Sequence, residues 1–211
     1  IPGAPTVDLS AGPLPEGSLW SALKNRRSRR TFTAEPVSAE TLSRLCWAIS
    51  GATARAGELL LRTAPSAGAL YPYETYVAVN RATGVEPGLY HYRVPDHALE
   101  RFSDAPPGPA LASAALGQDM CDRAAAVFII TAVPDRGRWK YAERAWRYIY
   151  LDAGHMMQNL YLAAEDLGLG CCGVGAFFDE EVDALLRIDG KAETAIYLAA
   201  VGPVRGGAEP Q

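Results

Sequence analysis

The chain has 211 residues, 49% of them hydrophobic, enough to bury a sizeable core as one domain or as one subunit of an intimate oligomer. Its 24 Asp and Glu outweigh 20 Lys and Arg for a formal charge of -4, which argues against the broad basic surface of a nucleic-acid binder. No apolar run approaches the roughly 20 residues of a membrane span and the opening IPGAPTVDLS lacks a charged-then-apolar start, so a cytoplasmic protein without a membrane partner is expected.

Residues 1–16, rich in Pro, Gly and Ala, read as an extended arm. The absence of an initiating Met suggests a trimmed protein or a domain excised from a longer polypeptide. A short helix fits Gly17 to Asn25. A second follows in PVSAETLSRLCWAIS, with Ser38 as cap and Leu42, Leu45, Cys46 and Ile49 at helical spacing. Pro65 to Pro72 is a loop, and YETYVAVN is a strand rich in aromatic and β-branched residues. GLYHYRV and HALERF flank Pro95-Asp96 as a hairpin. A surface loop, DAPPGPA, leads to a helix near Leu111 to Gly117, and Ala124 to Val133 is a buried strand.

One long helix is expected from about Arg138 to Leu167, with Trp139, Ala142, Trp146, Ile149, Ala153, Met156 and Met157 on one stripe. Its second half is apolar almost all round, which calls for burial on several sides and suggests a helix in a dimer interface. CCGVGAF and TAIYLAAVG are strands, with a helix at Glu180 to Leu186 between them. The pattern is α+β, a mixed or mostly antiparallel sheet covered by helices.

Two obvious motifs fall away. GLGCCG, Gly168 to Gly173, satisfies GxGxxG, but it follows a helix and enters a strand, the reverse of the dinucleotide fingerprint. A helix cap at Gly168 is the plainer reading. Cys46, Cys121, Cys171 and Cys172 form no CxxC pair and the chain has only 3 His, so no metal site is expected and the thiols read as buried and reduced. His155, inside the apolar helix, reads as a core or interface residue.

Three segments carry candidate chemistry. Lys24, Arg26, Arg27, Arg29 and Arg30 crowd into KNRRSRR. If the helix stops near Asn25 and the chain then extends, Arg26, Ser28 and Arg30 alternate onto one side, where two guanidinium groups and a hydroxyl suit one phosphate. In TAPSAGALYPYE, the small residues Pro65, Ser66, Ala67 and Gly68 let the backbone approach a flat ring. In DRGRWKYAERAWRYIY, Lys140 and Tyr141 sit among Arg136, Arg138 and Arg144, whose charge favours a neutral Lys or an ionised Tyr, either of which is a better base. Solvated charges on an exposed helix are the plain alternative for this last segment.

In their shared order, RRSRRTF, APSAGALYPYE, GLYHY, RWKYAERAWRYIYLDAGHMMQNLYLAAEDLGLG and the late AVG resemble the flavin-dependent nitroreductase superfamily, and more narrowly its SagB-type azoline dehydrogenases. The likeness runs from Leu19 to Gly202. It implies a nitroreductase-like domain over residues 17–205 with a tail over 206–211, and an FMN-binding, intertwined homodimer whose two flavin sites each draw on both subunits. In that family the segment matching Arg26, Ser28 and Arg30 holds the FMN phosphate, here with Arg27 beside it. The segment matching Pro65, Ser66, Ala67 and Gly68 lies against the isoalloxazine across the dimer. Gly173, Val174, Gly175 and Ala176 would pass near the ring, and Arg205 resembles a basic residue that reaches the phosphate. Lys140 and Tyr141 stand where SagB-type enzymes carry a Lys-Tyr pair. The implied reaction is oxidation of a thiazoline or oxazoline to the azole, in a peptide or a carrier-protein-tethered intermediate of a nonribosomal assembly line. Lys140 or Tyr141 would take the ring proton and the flavin the hydride. An NAD(P)H-dependent nitro or quinone reductase and a non-catalytic flavin-fold scaffold are the competing readings.

Overall fold

The structure, a computed structural model, describes residues 17–205. The expected arm over 1–16 and tail over 206–211 lie outside them. Helix α1 (Ser18–Asn25) stops at Asn25, and Arg26 is already extended (φ -51, ψ 126). Strand β1 (Val37–Ser38) leads into α2 (Ala39–Ser50), capped as its sequence predicts, with the Thr41 N–H donating to Ser38 Oγ at 3.0 Å. A hairpin that periodicity did not announce follows, β2 (Ala52–Ala56) and β3 (Leu59–Arg62). Its strands ATARA and LLLR show no clean alternation, because much of the hairpin is exposed.

Strand β4 (Tyr73–Val79) and the short β5 (Ala82–Thr83) precede the hairpin of β6 (Gly88–Arg93) and β7 (Ala98–Ser103). Helix α3 (Gly108–Ala114) ends earlier than expected, because Leu116 (φ 58) and Gly117 (φ 75) are left-handed. A single turn, α4 (Met120–Arg123), then feeds β8 (Ala126–Ala132). The long helix is broken. Helix α5 (Asp135–Tyr141) and α6 (Ala145–Asp166) are separated by a 3-10 turn, and Ala142 (φ 48, ψ -139) departs from helical geometry. Gly168 (φ 71) ends the turn after α6 and releases the chain into β9 (Leu169–Val174), so the glycine run does enter a strand from a helix. Helix α7 (Asp179–Leu186) and β10 (Thr194–Pro203) complete the chain.

The six long strands form one sheet in the order β7-β6-β4-β8-β10-β9, antiparallel at every pairing. Parallel contacts are peripheral: β1 with β5, and a lone bridge from Ser28 to Cys171. All of β8 is buried, since both faces are covered. Its Phe128 and Ile130 join the core made with α2 and α6, while Val127 and Ile129 join the one made with α3, α4 and α7. Cys171 and Cys172 split between these two cores, and all four thiols are buried and free. Burial pushes the Cys121 thiol up to about 11 and Cys46 up to about 12, so they pack rather than react.

Helix α6 buries Ile149, Ala153, Met156, Met157, Leu160 and Ala164 on its inner side. Its other side is open in the protomer. Tyr150 (58% exposed) and Leu151 (56%) head a stripe that continues through Gly154, His155 and Gln158, so His155 is not a core residue. Trp139, expected on the buried stripe, is 73% exposed because the break at Ala142 turns α5 away from the axis of α6.

Candidate active site

Because α1 ends at Asn25, the basic segment runs extended along the outer edge of β9, where the Arg29 N–H donates to Cys171 O at 3.0 Å. Its side chains divide. Ser28 Oγ lies 3.1 Å from Tyr161 Oη, and the Arg26 guanidinium stands 5.3 Å from the Tyr161 ring centroid. The exposed Arg30 turns its Nη1 towards Ser28 O at 3.5 Å. Arg29 instead pairs with Glu165 of α6 at 3.6 Å. Arg27 folds back to donate to Lys24 O (3.0 Å) and Arg26 O (2.8 Å), carbonyls at the end of α1. Burial raises the Cys171 and Cys172 thiols, against the positive charges of Arg26 and Arg30 respectively, which places one guanidinium near each.

The same corner receives the end of β9. The Gly173 N–H donates to Tyr161 Oη at 2.6 Å, and a Cβ on Gly173 would meet Tyr197 Oη at 2.9 Å, so only glycine fits there without a shift. Val174 is buried, Gly175 and Ala176 are exposed, and Ala176 O accepts from Gln118 Nε2 at 3.1 Å. Arg205 is exposed just past β10, whose last residue accepts from the Thr33 N–H at 2.8 Å. Arg26, the Ser28 hydroxyl and the Gly173 N–H thus meet around Tyr161 in a cradle, donor types that suit a phosphate group. Tyr161, which Arg26, Ser28 and Gly173 share, was invisible to spacing arguments because only the tertiary fold brings α6 against residues 26–28, far away in the chain.

A second cluster gathers around the loop. Pro65 is exposed, Ser66 Oγ accepts from the Tyr71 N–H at 3.0 Å, and the Ala67 N–H donates to Asp152 Oδ2 at 3.1 Å. Gly68 is left-handed (φ 64), and a Cβ there would stand 2.7 Å from Lys140 Nζ and 2.7 Å from Tyr141 Oη. Both side-chain heads therefore sit over the one residue of the loop that has no side chain. Lys140 Nζ is 5.4 Å from the Tyr141 ring centroid, and Tyr141 meets Tyr148 edge-on with centroids 4.7 Å apart. An exposed lysine amine beside a phenol offers two groups that can exchange a proton with a molecule resting on that surface.

Two of the three arginines expected to crowd Lys140 are engaged elsewhere. Arg136 pairs with Glu74, and its Nη1 lies 3.4 Å from the carbonyls of Tyr71 and Tyr73. Arg138 reaches towards Asp135, Glu143 and the Trp146 ring. Burial would raise the Glu74 carboxyl, but the His91 hydrogen bond (3.0 Å) and the Arg136 charge outweigh it and hold it below its ordinary value. Among the described residues no three of His, Cys, Asp and Glu are grouped to hold a metal, and no helix is long and apolar enough to cross a membrane.

The two clusters share α6. Asp152 and Tyr161 are nine residues apart, which is about two and a half turns and about 14 Å along the axis. They therefore lie on opposite flanks of the helix, with the open stripe between them.

Residues 23–203 match the Nitroreductase family. The chain belongs to the nitroreductase family. Its antiparallel sheet, flanked by helices that include one long one, is the nitroreductase-like α+β fold, and membership places it among flavin-type oxidoreductases. It is 39% identical over 197 residues to MJ1384 of Methanocaldococcus jannaschii, assigned as a nitroreductase, covering 93% of this chain and 96% of that one. It is 34% identical over 145 residues to the trifolitoxin-processing protein TfxB of Rhizobium leguminosarum bv. trifolii, covering 66% of this chain but only 39% of TfxB. The E. coli microcin synthetase McbBCD complex with truncated pro-MccB17 holds a similar chain (TM-score 0.75, 21% identity, 97% of this chain, 76% of that one). A nitroreductase-like protein of Desulfovibrio desulfuricans, solved in complex with FMN, is similar at TM-score 0.65 and 21% identity over 93% of this chain and 92% of that one.

Proposed function

We propose that this nitroreductase-family protein is an FMN-dependent dehydrogenase that oxidises a thiazoline or oxazoline ring to the aromatic azole. The ring would belong to a peptide or a carrier-tethered intermediate. The observation that carries the reading is the placement of Lys140 Nζ and Tyr141 Oη over Gly68. A reductase that only passes electrons from NAD(P)H to a nitro group or quinone has no need of such a pair, whereas forming an azole requires removal of a ring proton. The similarity to TfxB and to a McbBCD chain, proteins named for peptide toxins, supports a peptide substrate.

Arg26, Ser28 and Arg30 would hold the FMN phosphate, Arg205 would stand nearby, and Gly173 to Ala176 would border the ring. Bound FMN would supply the acceptor for the ring's hydride, that is, for both electrons of the oxidation. The chain's own part is to rest the heterocycle on the bare Gly68 surface and to take its proton at Lys140 Nζ or Tyr141 Oη, which is a matter of positioning. Two protomers are needed, because the cradle and the Lys-Tyr cluster lie on opposite flanks of α6. A homodimer packed on the open α6 stripe would bring one protomer's cradle towards the other's loop.

The test is to change Lys140→Ala and Tyr141→Phe separately, incubate each with FMN and a thiazoline-containing peptide or thioester, and follow the loss of two mass units. At least one variant should lose about 100-fold in kcat while keeping its FMN. If both retain full activity, neither residue is the base. The near full-length similarity to MJ1384 favours a second reading, an NAD(P)H-dependent nitro or quinone reductase. Rapid bleaching of the bound flavin by NAD(P)H, without azoline oxidation, would establish that one. A protein that takes up no FMN would be a scaffold.

A further inference from the structure

The mechanism leaves one buried ionisable group beside the site unused. Asp152 is only 4% exposed, yet its carboxylate has no Lys or Arg partner among the described residues. One oxygen accepts the Ala67 N–H at 3.1 Å. Ser66, Tyr73 and His155 act on its carboxyl or feel its charge, and it lines, with Ala67, Tyr141 and Tyr148, a cavity of about 10 Å³, the size of one water. Burial raises its carboxyl above the ordinary value, so the ionised form is held at a cost to folding that a neutral side chain would avoid.

The turn above it is itself costly. Gly68 (φ 64), Ala69 (φ 53) and Tyr71 (φ 45) are all left-handed, and the last two carry side chains. Each such residue costs about 1–2 kcal/mol relative to ordinary backbone, so the turn needs outside support to keep its shape. That shape decides where Gly68 meets Lys140 and Tyr141.

We propose that Asp152 is a positioning residue: by accepting the Ala67 N–H from α6 it locks the Ser66–Gly68 turn against the Lys140–Tyr141 pair. The proposal rests on that pair being the reacting groups. Asp152 does not touch the substrate; it acts through the backbone of the turn. What the turn uses is the acceptor oxygen, which an Asn side chain also offers, whereas Ala leaves the Ala67 N–H without a partner.

The experiment compares Asp152→Ala and Asp152→Asn with the unaltered, FMN-loaded protein. Amide hydrogen exchange over residues 63–72, FMN content, and kcat and KM for azoline oxidation are read together. For Asp152→Ala, exchange should rise and kcat fall by about tenfold each, the effect of one lost buried hydrogen bond, with KM little changed and FMN retained. Asp152→Asn should restore exchange and kcat. At pH 7 to 8 it should be at least as stable as the original, and that advantage should shrink as pH falls towards 3.8, because protonation then relieves the buried charge in the original protein. Unchanged exchange in Asp152→Ala overturns the proposal, as does a loosened turn with undiminished kcat. Equal damage in both variants overturns it too, since the charge rather than the acceptor would then be at work. Should the unaltered protein oxidise no azoline, the functional reading fails on its own, and the exchange comparison still decides whether Asp152 holds the turn.

Discussion

An extended chain is expected to send Arg26, Ser28 and Arg30 to one side and Arg27 and Arg29 to the other; the segment is extended, with Ser28 at Tyr161 and Arg29 at Glu165, one turn apart on α6. What the chain does with the second set was not legible. Arg29 finds Glu165 and Arg27 finds the α1 carbonyls, partners fixed only by folding. Changing Arg26→Ala or Arg30→Ala should therefore weaken FMN binding by about tenfold or more, at roughly 1.5–3 kcal/mol for a hydrogen bond to a charged group. Arg29→Ala should leave FMN affinity nearly intact and cost about 1 kcal/mol of stability. Flavin titration and denaturant unfolding of the three variants check the division, and loss of FMN only in Arg29→Ala would reverse it. Gly68→Ala tests the other cluster. The left-handed backbone costs the new side chain about 1 kcal/mol or more, and its Cβ would displace Lys140 or Tyr141. The variant should fold with a modestly lower Tm and lose about 100-fold in kcat, as misplacement of reacting groups by about 1 Å does.

At the scale of elements, strand and helix identities were mostly readable, since β8 is a continuous apolar run and α2 carries its own cap. The break between α5 and α6 was not. RWKYAERAWRYIY has helical spacing throughout and no Gly or Pro near the break, so nothing local announces the turn at Ala142. Tertiary contacts hold α5 in its new direction: Arg136 grips Glu74 of β4 and approaches the carbonyls of Tyr71 and Tyr73. Glu74→Gln should loosen that grip. Because the Glu74 carboxyl is held below 4.5 in the fold, its stabilisation is full above that value and is lost as pH falls through the lowered one. Denaturant unfolding should show Glu74→Gln less stable by about 2 kcal/mol at pH 7, with the gap closing as pH falls below 4.5 and through the lowered value. A gap independent of pH would mean that the carboxylate charge plays no part.

For the whole molecule, the open α6 stripe lies beside a second exposed apolar set on α1, formed by Leu19, Trp20 and Leu23. The dimer proposed above would cover both and so would account for a long helix of this composition left half bare in one protomer. Leu151→Asp should shift sedimentation from dimer to monomer and weaken association by about 100-fold or more, since a charge would be buried without a partner. Unchanged sedimentation would place the interface elsewhere. The sequence alone determined the α+β class, most of the elements and the extended basic segment, because these follow from local backbone geometry and the periodicity of apolar residues. Only the tertiary structure decided that Tyr161 joins Arg26, Ser28 and Gly173, that Asp152 reaches Ala67, and that Lys140 and Tyr141 stand over Gly68. Those meetings join residues far apart in the chain, through the sheet register and a backbone break that no local pattern encodes.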